Sequence, residues 1–140
     1  MTQPVSEPVK DTRAMISGMA PALDPEIYHF CCVPRGADPQ GVSAKALARF
    51  CEDEGETLIL PEQAAQDAGL VSELPMQRIT LMVHSALDGV GLTAAVASVL
   101  AEAGIACNMV AAFHHDHAFV PAQDAERALA LLKALAGAQT

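Results

Sequence analysis

A glycine-rich turn is the first place where this sequence could do chemistry. Gly89 and Gly91 stand just before an apolar helical stretch that starts at Leu92. A glycine has no Cβ, so its backbone can approach a ligand closely. The amides of Gly91, Leu92 and Thr93 would open the helix without partners, where the helix dipole favours a carboxylate. The turn therefore predicts a small-anion site, although Gly-x-Gly before a helix is also ordinary turn chemistry.

A polar turn further along the chain supplies groups that would complete such a site. Asp116 is a candidate partner for a ligand ammonium, through a charge-assisted hydrogen bond. Phe113 is a candidate wall for the side chain of the ligand. Two alternatives stay open: Asp116 only shapes a hairpin turn, a position that Asp favours, and Phe113 belongs to the core.

The same turn is rich in histidine, which makes metal binding the competing hypothesis. His114, His115 and His117 lie within four residues, and His84 ends an apolar stretch earlier in the chain. Imidazole and carboxylate are good ligands of zinc, nickel and iron, and His115 and His117 share one face if the strand continues through the turn. A metal site on His115 and His117, or a scaffolding role for the hairpin 114–117, is the alternative. No cofactor is expected.

The sequence contains no recognisable catalytic motif. It has no nucleophile elbow, no Walker loop and no complete dinucleotide fingerprint, so we expect that it is not an enzyme. Cys31 and Cys32 fall in an apolar stretch, a poor setting for a reactive thiolate. All four cysteines stand among apolar residues and predict reduced core thiols in the cytoplasm: Cys31, Cys32, Cys51 and Cys107.

Composition and charge narrow the range of partners. The 140 residues carry a formal net charge of −9, and the eight Lys and Arg residues are scattered along the chain. Without a basic stripe, nucleic acid and anionic membrane surfaces are unfavourable partners. The polar amino terminus predicts no signal peptide, and no apolar run approaches the roughly 20 residues that span a bilayer. We therefore expect a cytoplasmic protein.

The amino-terminal half predicts alternating strands and helices. After a flexible tail (1–11), a short helix with Asp11 as its N-cap should lead to the first strand. A helix over 43–53 is indicated by the spacing of Leu47, Phe50 and Cys51, with Gly55 as its stop. The predicted elements are a helix at Thr12–Met19, a strand at Tyr28–Val33, a helix at Ser43–Asp53, a strand at Thr57–Leu60 and a helix at Glu62–Ala68.

The carboxy-terminal half predicts strand, helix, strand, strand and helix, a βαββα unit without its final strand. Such a unit alone would leave a sheet edge and apolar helix faces exposed, so the amino half should supply the missing strand. A faint repeat, Leu60-Pro61 against Val120-Pro121, supports two related halves. The predicted elements are strands at Arg78–Val83, Ile105–Phe113 and His117–Val120 and helices at Leu92–Ala103 and Gln123–Ala136.

Three segments of the second half resemble the ACT domain, a ferredoxin-like βαββαβ module. They are Asp88–Leu92, Leu100–Ile105 and Ala112–Pro121. The whole chain is similar to small stand-alone bacterial proteins with tandem ACT domains. The resemblance implies an α+β fold of two intertwined halves, with antiparallel sheets and helices on one face. It divides the chain into a tail with a short helix (1–22), an amino-terminal ACT-like half (23–75) and a carboxy-terminal ACT domain (76–140).

The resemblance also implies a function. ACT domains sense small molecules, most often amino acids, at the turn between a strand and a helix, and their modules usually associate. We therefore expect an amino-acid-binding regulatory protein without catalytic activity that forms a homodimer. The family's ligand-binding positions map to Ser85, Gly89, Gly91, Leu92, Phe113 and Asp116, to which the helix-opening amide of Thr93 is added.

Overall fold

The computed structural model describes residues 11–138, which divide into two compact units. The continuous unit is one stretch of chain, Pro25–Gln77. The discontinuous unit takes its described residues from both ends of the chain, 11–24 and 78–138. The tail expected over 1–11 lies, apart from Asp11, outside the described residues.

The continuous unit is an antiparallel sheet with one helix. Its strands are β2 (Tyr28–Val33), β3 (Ala48–Glu52) and β4 (Gly55–Pro61), in the order β3-β4-β2. Helix α2 (Glu62–Ala68) begins directly after Pro61, because proline ends the strand and fits a helix start. The side chains of Leu58 and Leu60 are fully buried in a core that includes Ala65.

The prediction of a helix over 43–53 is wrong. The chain instead forms a 3-10 helix at Pro39–Lys45 and then β3, which pairs with β4 in a tight hairpin through Glu52 and Gly55. Phe50 fits helical spacing, but its side chain is 70% exposed, so the periodicity does not correspond to a buried helix face. Gly55 does not stop a helix. It opens β4, where a Cβ would lie only 2.7 Å from the carbonyl oxygen of Val33.

The discontinuous unit begins with α1 (Thr12–Ser17) and β1 (Ala22–Leu23). The side chain of Asp11 caps α1 as predicted, accepting a hydrogen bond from the amide of Ala14 at 2.9 Å. The remaining elements are β5 (Met76–Leu81, assigned to this unit from Arg78 on), α3 (Leu92–Glu102), β6 (Asn108–Ala111), β7 (Asp116–Pro121), a 3-10 turn (Ala122–Asp124) and α4 (Ala125–Gly137).

In the strand order β1-β5-β7-β6, the strand that completes the sheet of the second half is β1, a two-residue strand that precedes the strands predicted for the amino half. β1 pairs antiparallel with β5 through Ala22–Thr80 and Leu23–Ile79. β6 and β7 form the antiparallel hairpin. β6 is shorter than the strand expected over 105–113. β5 starts and ends two residues before the expected 78–83.

The core of the discontinuous unit lies between its sheet and helices α1, α3 and α4. α1 packs against α3 and α4. Met15 and Met19, at 1% and 0% exposure, join Leu100 and Leu132 in one cluster. The amino-terminal segment is therefore part of this core. Within residues 11–138, no helix has the length and apolar character needed to cross a membrane.

Truncation of Met19 should show whether this packing holds in solution. Met19→Ala leaves a cavity in the core, so we expect it to lower the free energy of unfolding by about 2–5 kcal/mol. The matched control, Met82→Ala, truncates a methionine that is 49% exposed and should cost about 0.5 kcal/mol or less. Urea unfolding measures both. Equal, small losses would mean that the segment 11–24 does not pack as described.

Candidate functional site

The loop from β5 to α3 brings the predicted turn to the start of a helix. Ser85 is buried, and Gly89 donates its amide to the carbonyl of Ala86 at 2.9 Å, which closes a tight turn. Gly91 has φ +107°, a conformation that only glycine adopts readily, and α3 starts directly after it. The N-cap residue Gly91 has no side chain that could cap α3, and the first amides of a helix have no acceptor within the helix, so they could bind an anion.

A cavity of about 140 Å³ opens at this helix start, entirely within the discontinuous unit. Six of the seven residues predicted as ligand-binding line it: Ser85, Gly89, Gly91, Leu92, Thr93 and Asp116. The rest of the lining is apolar and comes from Met15, Ala86, Leu87 and Ala111. The sequence had indicated none of these four for the site.

Asp116 supplies the acidic group of the cavity. It is the first residue of β7 and pairs with Ala111 across the hairpin, so the strand rather than the turn fixes its position. Its Oδ2 accepts a hydrogen bond from the Ser85 hydroxyl at 3.3 Å. The cavity thus combines a carboxylate with the positive end of a helix dipole, a pairing that suits a zwitterion.

The two glycines make room for α1. A Cβ on Gly91 would lie 2.6 Å from Cγ2 of Thr12, and one on Gly89 would lie 3.0 Å from Sδ of Met15. The Thr12 hydroxyl also donates a hydrogen bond to the carbonyl of Val90. The first turn of α1 fills part of the space beside both glycines, which nevertheless line the cavity, so the expectation that they admit a ligand stays a prediction.

Phe113 does not line the cavity. It is 69% exposed, and its ring forms a T-shaped contact with the His114 ring at a centroid distance of 5.0 Å. It lies in the turn between β6 and β7, where neither the core nor the cavity covers it. The two roles considered for it, pocket wall and core residue, do not match this position.

The histidine rings are held by other contacts. His115 Nδ1 lies 3.3 Å from the carbonyl oxygen of Val83, and His117 Nδ1 lies 2.9 Å from the Thr80 hydroxyl. His84 and His114 are neighbours, with ring centroids 5.2 Å apart. Among residues 11–138, no three His, Cys, Asp or Glu side chains come together as a metal site would require.

His117 is shifted towards its neutral form. Burial lowers its pKa, because a buried imidazolium loses hydration, and the charges of Arg78 and His115 lower it further. Asp116 acts in the opposite direction without overcoming these effects. The ring therefore remains a neutral partner of the Thr80 hydroxyl at pH values where an exposed histidine begins to charge.

The cysteines divide into two kinds. Burial raises the pKa of the Cys31 and Cys107 thiols, which keeps both protonated and unreactive at neutral pH. Cys32 and Cys51 are exposed, so the expectation that all four are core thiols is wrong for these two. All four are free.

Two segments of the chain match the ACT domain, at residues 7–77 and 75–134. A Vibrio cholerae protein of unknown function, described as a possible transport protein, is 44% identical. The match covers 89% of this chain and 94% of that one, with a TM-score of 0.77. The chain belongs to the ACT-domain family.

More distant structures share the fold of this tandem ACT protein. An Agrobacterium tumefaciens protein matches over 80% of this chain and 83% of its own, with 18% identity and a TM-score of 0.62. The ligand-free regulatory subunit of aspartate kinase from Thermus thermophilus matches over 82% of this chain and 95% of its own, at 14% identity and a TM-score of 0.60. No curated protein matches the chain.

The apolar wall of this ACT-domain cavity escaped sequence reasoning because distant parts of the chain form it. Met15 belongs to α1 and Ala111 to β6, far in sequence from the glycine turn. One signal was available: a βαββα unit needs a partner from elsewhere, and the short apolar helix before β1 was free to provide it. Leu87 lies inside the turn itself, where its apolar side chain gave no sign of a cavity.

The contact between Thr12 and Gly91 can be tested with a double-mutant cycle. Gly91→Ala should cost more than the roughly 1–2 kcal/mol of left-handed backbone strain, because the new Cβ also meets Cγ2 of Thr12. Thr12→Ser removes that methyl group and keeps the hydroxyl, so the cost of Gly91→Ala should fall in its background. Free energies of unfolding in urea measure the coupling.

Gly104 is the matched control for this cycle. It has φ +72°, but a Cβ there would meet nothing within 4 Å. Gly104→Ala should therefore carry the strain alone and show no coupling to Thr12→Ser. If Gly91→Ala were equally insensitive to Thr12→Ser, α1 would not pack against the turn.

Acidification should destabilise the ACT unit through His117. Well above pH 6.5 this side chain is neutral in both folded and unfolded chains, so its contribution to stability is complete. Below pH 6.5 the unfolded chain takes up a proton that the folded chain resists, so stability falls by at most about 1.4 kcal/mol per pH unit. His117→Gln should therefore flatten the stability profile below pH 6.5 relative to the wild type. A variant whose stability falls as steeply with acidification as that of the wild type would contradict the assignment.

Proposed function

We propose that this protein is a regulatory module that binds a free amino acid at the start of α3 and catalyses no reaction. ACT-family membership and the fold shared with aspartate kinase regulatory domains support a ligand-binding regulatory role. The observation that supports the amino-acid assignment is the cavity of about 140 Å³, which both Asp116 and the start of α3 line.

Each end of an amino acid has a complementary group in this cavity. The α-carboxylate would accept hydrogen bonds from the amides of Leu92 and Thr93, where the helix dipole favours negative charge. The ammonium would donate to the carboxylate of Asp116, with the Ser85 hydroxyl alongside at 3.3 Å. Both ends of the ligand would then be bound without any basic side chain.

Binding would be transmitted through α1 and through a second copy of the chain. Met15 of α1 lines the cavity, so a ligand there contacts the segment that completes the unit. β6 is the last strand in the order of its sheet within the described residues, which leaves an edge for pairing between copies. A homodimer whose contacts respond to the ligand is therefore part of the proposal.

Calorimetric titration of the full chain with each of the twenty amino acids tests the proposal. At least one should bind and raise the midpoint of thermal unfolding, since a ligand of the folded state stabilises it by about 2.7 kcal/mol at a hundredfold excess over Kd. Binding should also shift the elution volume in size-exclusion chromatography if it changes the association of copies. Absence of binding by all twenty would overturn the assignment.

Asp116→Asn should weaken binding of the amino acid identified in this way by about 10- to 100-fold. The change removes the charge that partners the ammonium, and a hydrogen bond to a charged group contributes about 1.5–3 kcal/mol. Glu102→Gln, an exposed change at the other end of α3, is the control and should bind as wild type does. Equal affinities for all three proteins would exclude Asp116 from the site.

A further inference from the structure

The cavity lining contains an acidic side chain and no basic one among the described residues. Among the residues that the structure describes, Asp116 is the only ionisable side chain in the lining. Ser85 and Thr93 add hydroxyl groups, and the remaining side chains are apolar or absent. Among the described lining residues, positive electrostatics comes only from the amides at the start of α3, and a single α-carboxylate would occupy these.

Within residues 11–138, the Lys and Arg side chains of the discontinuous unit do not line the cavity. Arg78 forms an ion pair with Asp24 at 2.9 Å. Arg127 donates to the carbonyl of Ala103, just past the C-terminal end of α3, about 16 Å along the helix axis from its start. The other described basic residues of this unit are exposed and do not line the cavity: Arg13 and Lys133.

A ligand with a second carboxylate would therefore meet an unfavourable site. Its side-chain charge would be taken from water into a cavity with no cation to balance it. It would also share that cavity with the carboxylate of Asp116, and like charges at such separations repel. A neutral side chain carries neither penalty.

The volume and the apolar wall limit the side chain further. A cavity of about 140 Å³ is well below the roughly 300–1,000 Å³ of sites that hold drug-sized ligands. Met15, Leu87 and Ala111 present apolar groups to whatever lies between Asp116 and the helix start. This wall suits a short aliphatic or hydroxylated side chain.

We infer that the cavity selects small neutral amino acids, such as alanine, serine, threonine or valine, and rejects aspartate and glutamate. This inference rests on the proposed function. The determinant is the absence of a cation opposite Asp116 among the described lining residues, not the shape of the backbone turn. A cation placed at the mouth of the cavity should then change the specificity.

The first experiment compares ligands on the wild-type full chain. Calorimetry with alanine, serine, threonine and valine should give at least one affinity tenfold or more above those for aspartate and glutamate. Aspartate binding as tightly as the best neutral amino acid would overturn the inference and leave the proposed function standing. Failure of every amino acid to bind would overturn the proposed function itself.

The second experiment adds the missing charge. Leu87 lines the cavity and is 70% exposed, so Leu87→Lys should be tolerated by the fold and bring an ammonium to the mouth of the cavity. We expect its affinity for aspartate to rise at least tenfold above wild type. Val90→Lys, in the same loop at a residue that is 76% exposed and outside the lining, is the matched control and should leave aspartate binding unchanged. A gain of the same size in both variants, or in neither, would contradict the charge argument.

Discussion

The packing of the amino-terminal segment into the carboxy-terminal half determines most of this structure. β1 adds the last strand of the sheet, and Met15 and Met19 fill a core that the second half cannot close alone. The free energy of this packing comes from the burial of apolar surface, which is non-directional. Its geometry comes from the pairing of β1 with β5 and from the contact between Thr12 and Gly91. Met15, from the packed amino-terminal segment, lines one side of the cavity.

The cavity has polar groups of opposite sign in its lining. A helix that begins with glycine and has no side-chain cap leaves its first amides free, which costs stability unless water or a ligand satisfies them. The Asp116 carboxylate, fixed by the first pair of the β6–β7 hairpin, faces the same space. Two groups of opposite polarity therefore line the same cavity, and each belongs to an element of regular secondary structure.

Local signals in the sequence were sufficient wherever the determining interaction is local. Asp11 caps α1, Pro61 separates β4 from α2, and the glycine turn leads into α3 as expected, because each depends on neighbours within a few residues. β3 could not be predicted in this way. Its stability comes from pairing with β4. The spacing of Leu47, Phe50 and Cys51 fits a helix, but these side chains do not pack into a core as one helix face would.

The same distinction applies to the site. The turn and Asp116 could be recognised from their chemistry, whereas Met15 and Ala111 enter the cavity only through tertiary packing. Phe113 shows the converse: an aromatic residue beside the site in sequence lies at the surface in the structure. The chemistry of Gly91 predicts contact with a ligand, but Thr12 occupies part of the space around it. The sequence did not indicate this contact, because nothing local shows that α1 reaches the turn.

The discontinuous unit also has a consequence for biosynthesis. A ribosome releases the chain from its amino end, so the residues of the continuous unit are all available for folding once Gln77 has emerged. Residues 11–24, by contrast, emerge before the continuous unit, and Met15 and Met19 have no core to pack into until more than 50 further residues appear. Closing so long a loop is slow relative to local folding. During this interval the apolar side chains of residues 11–24 are accessible to chaperones and proteases.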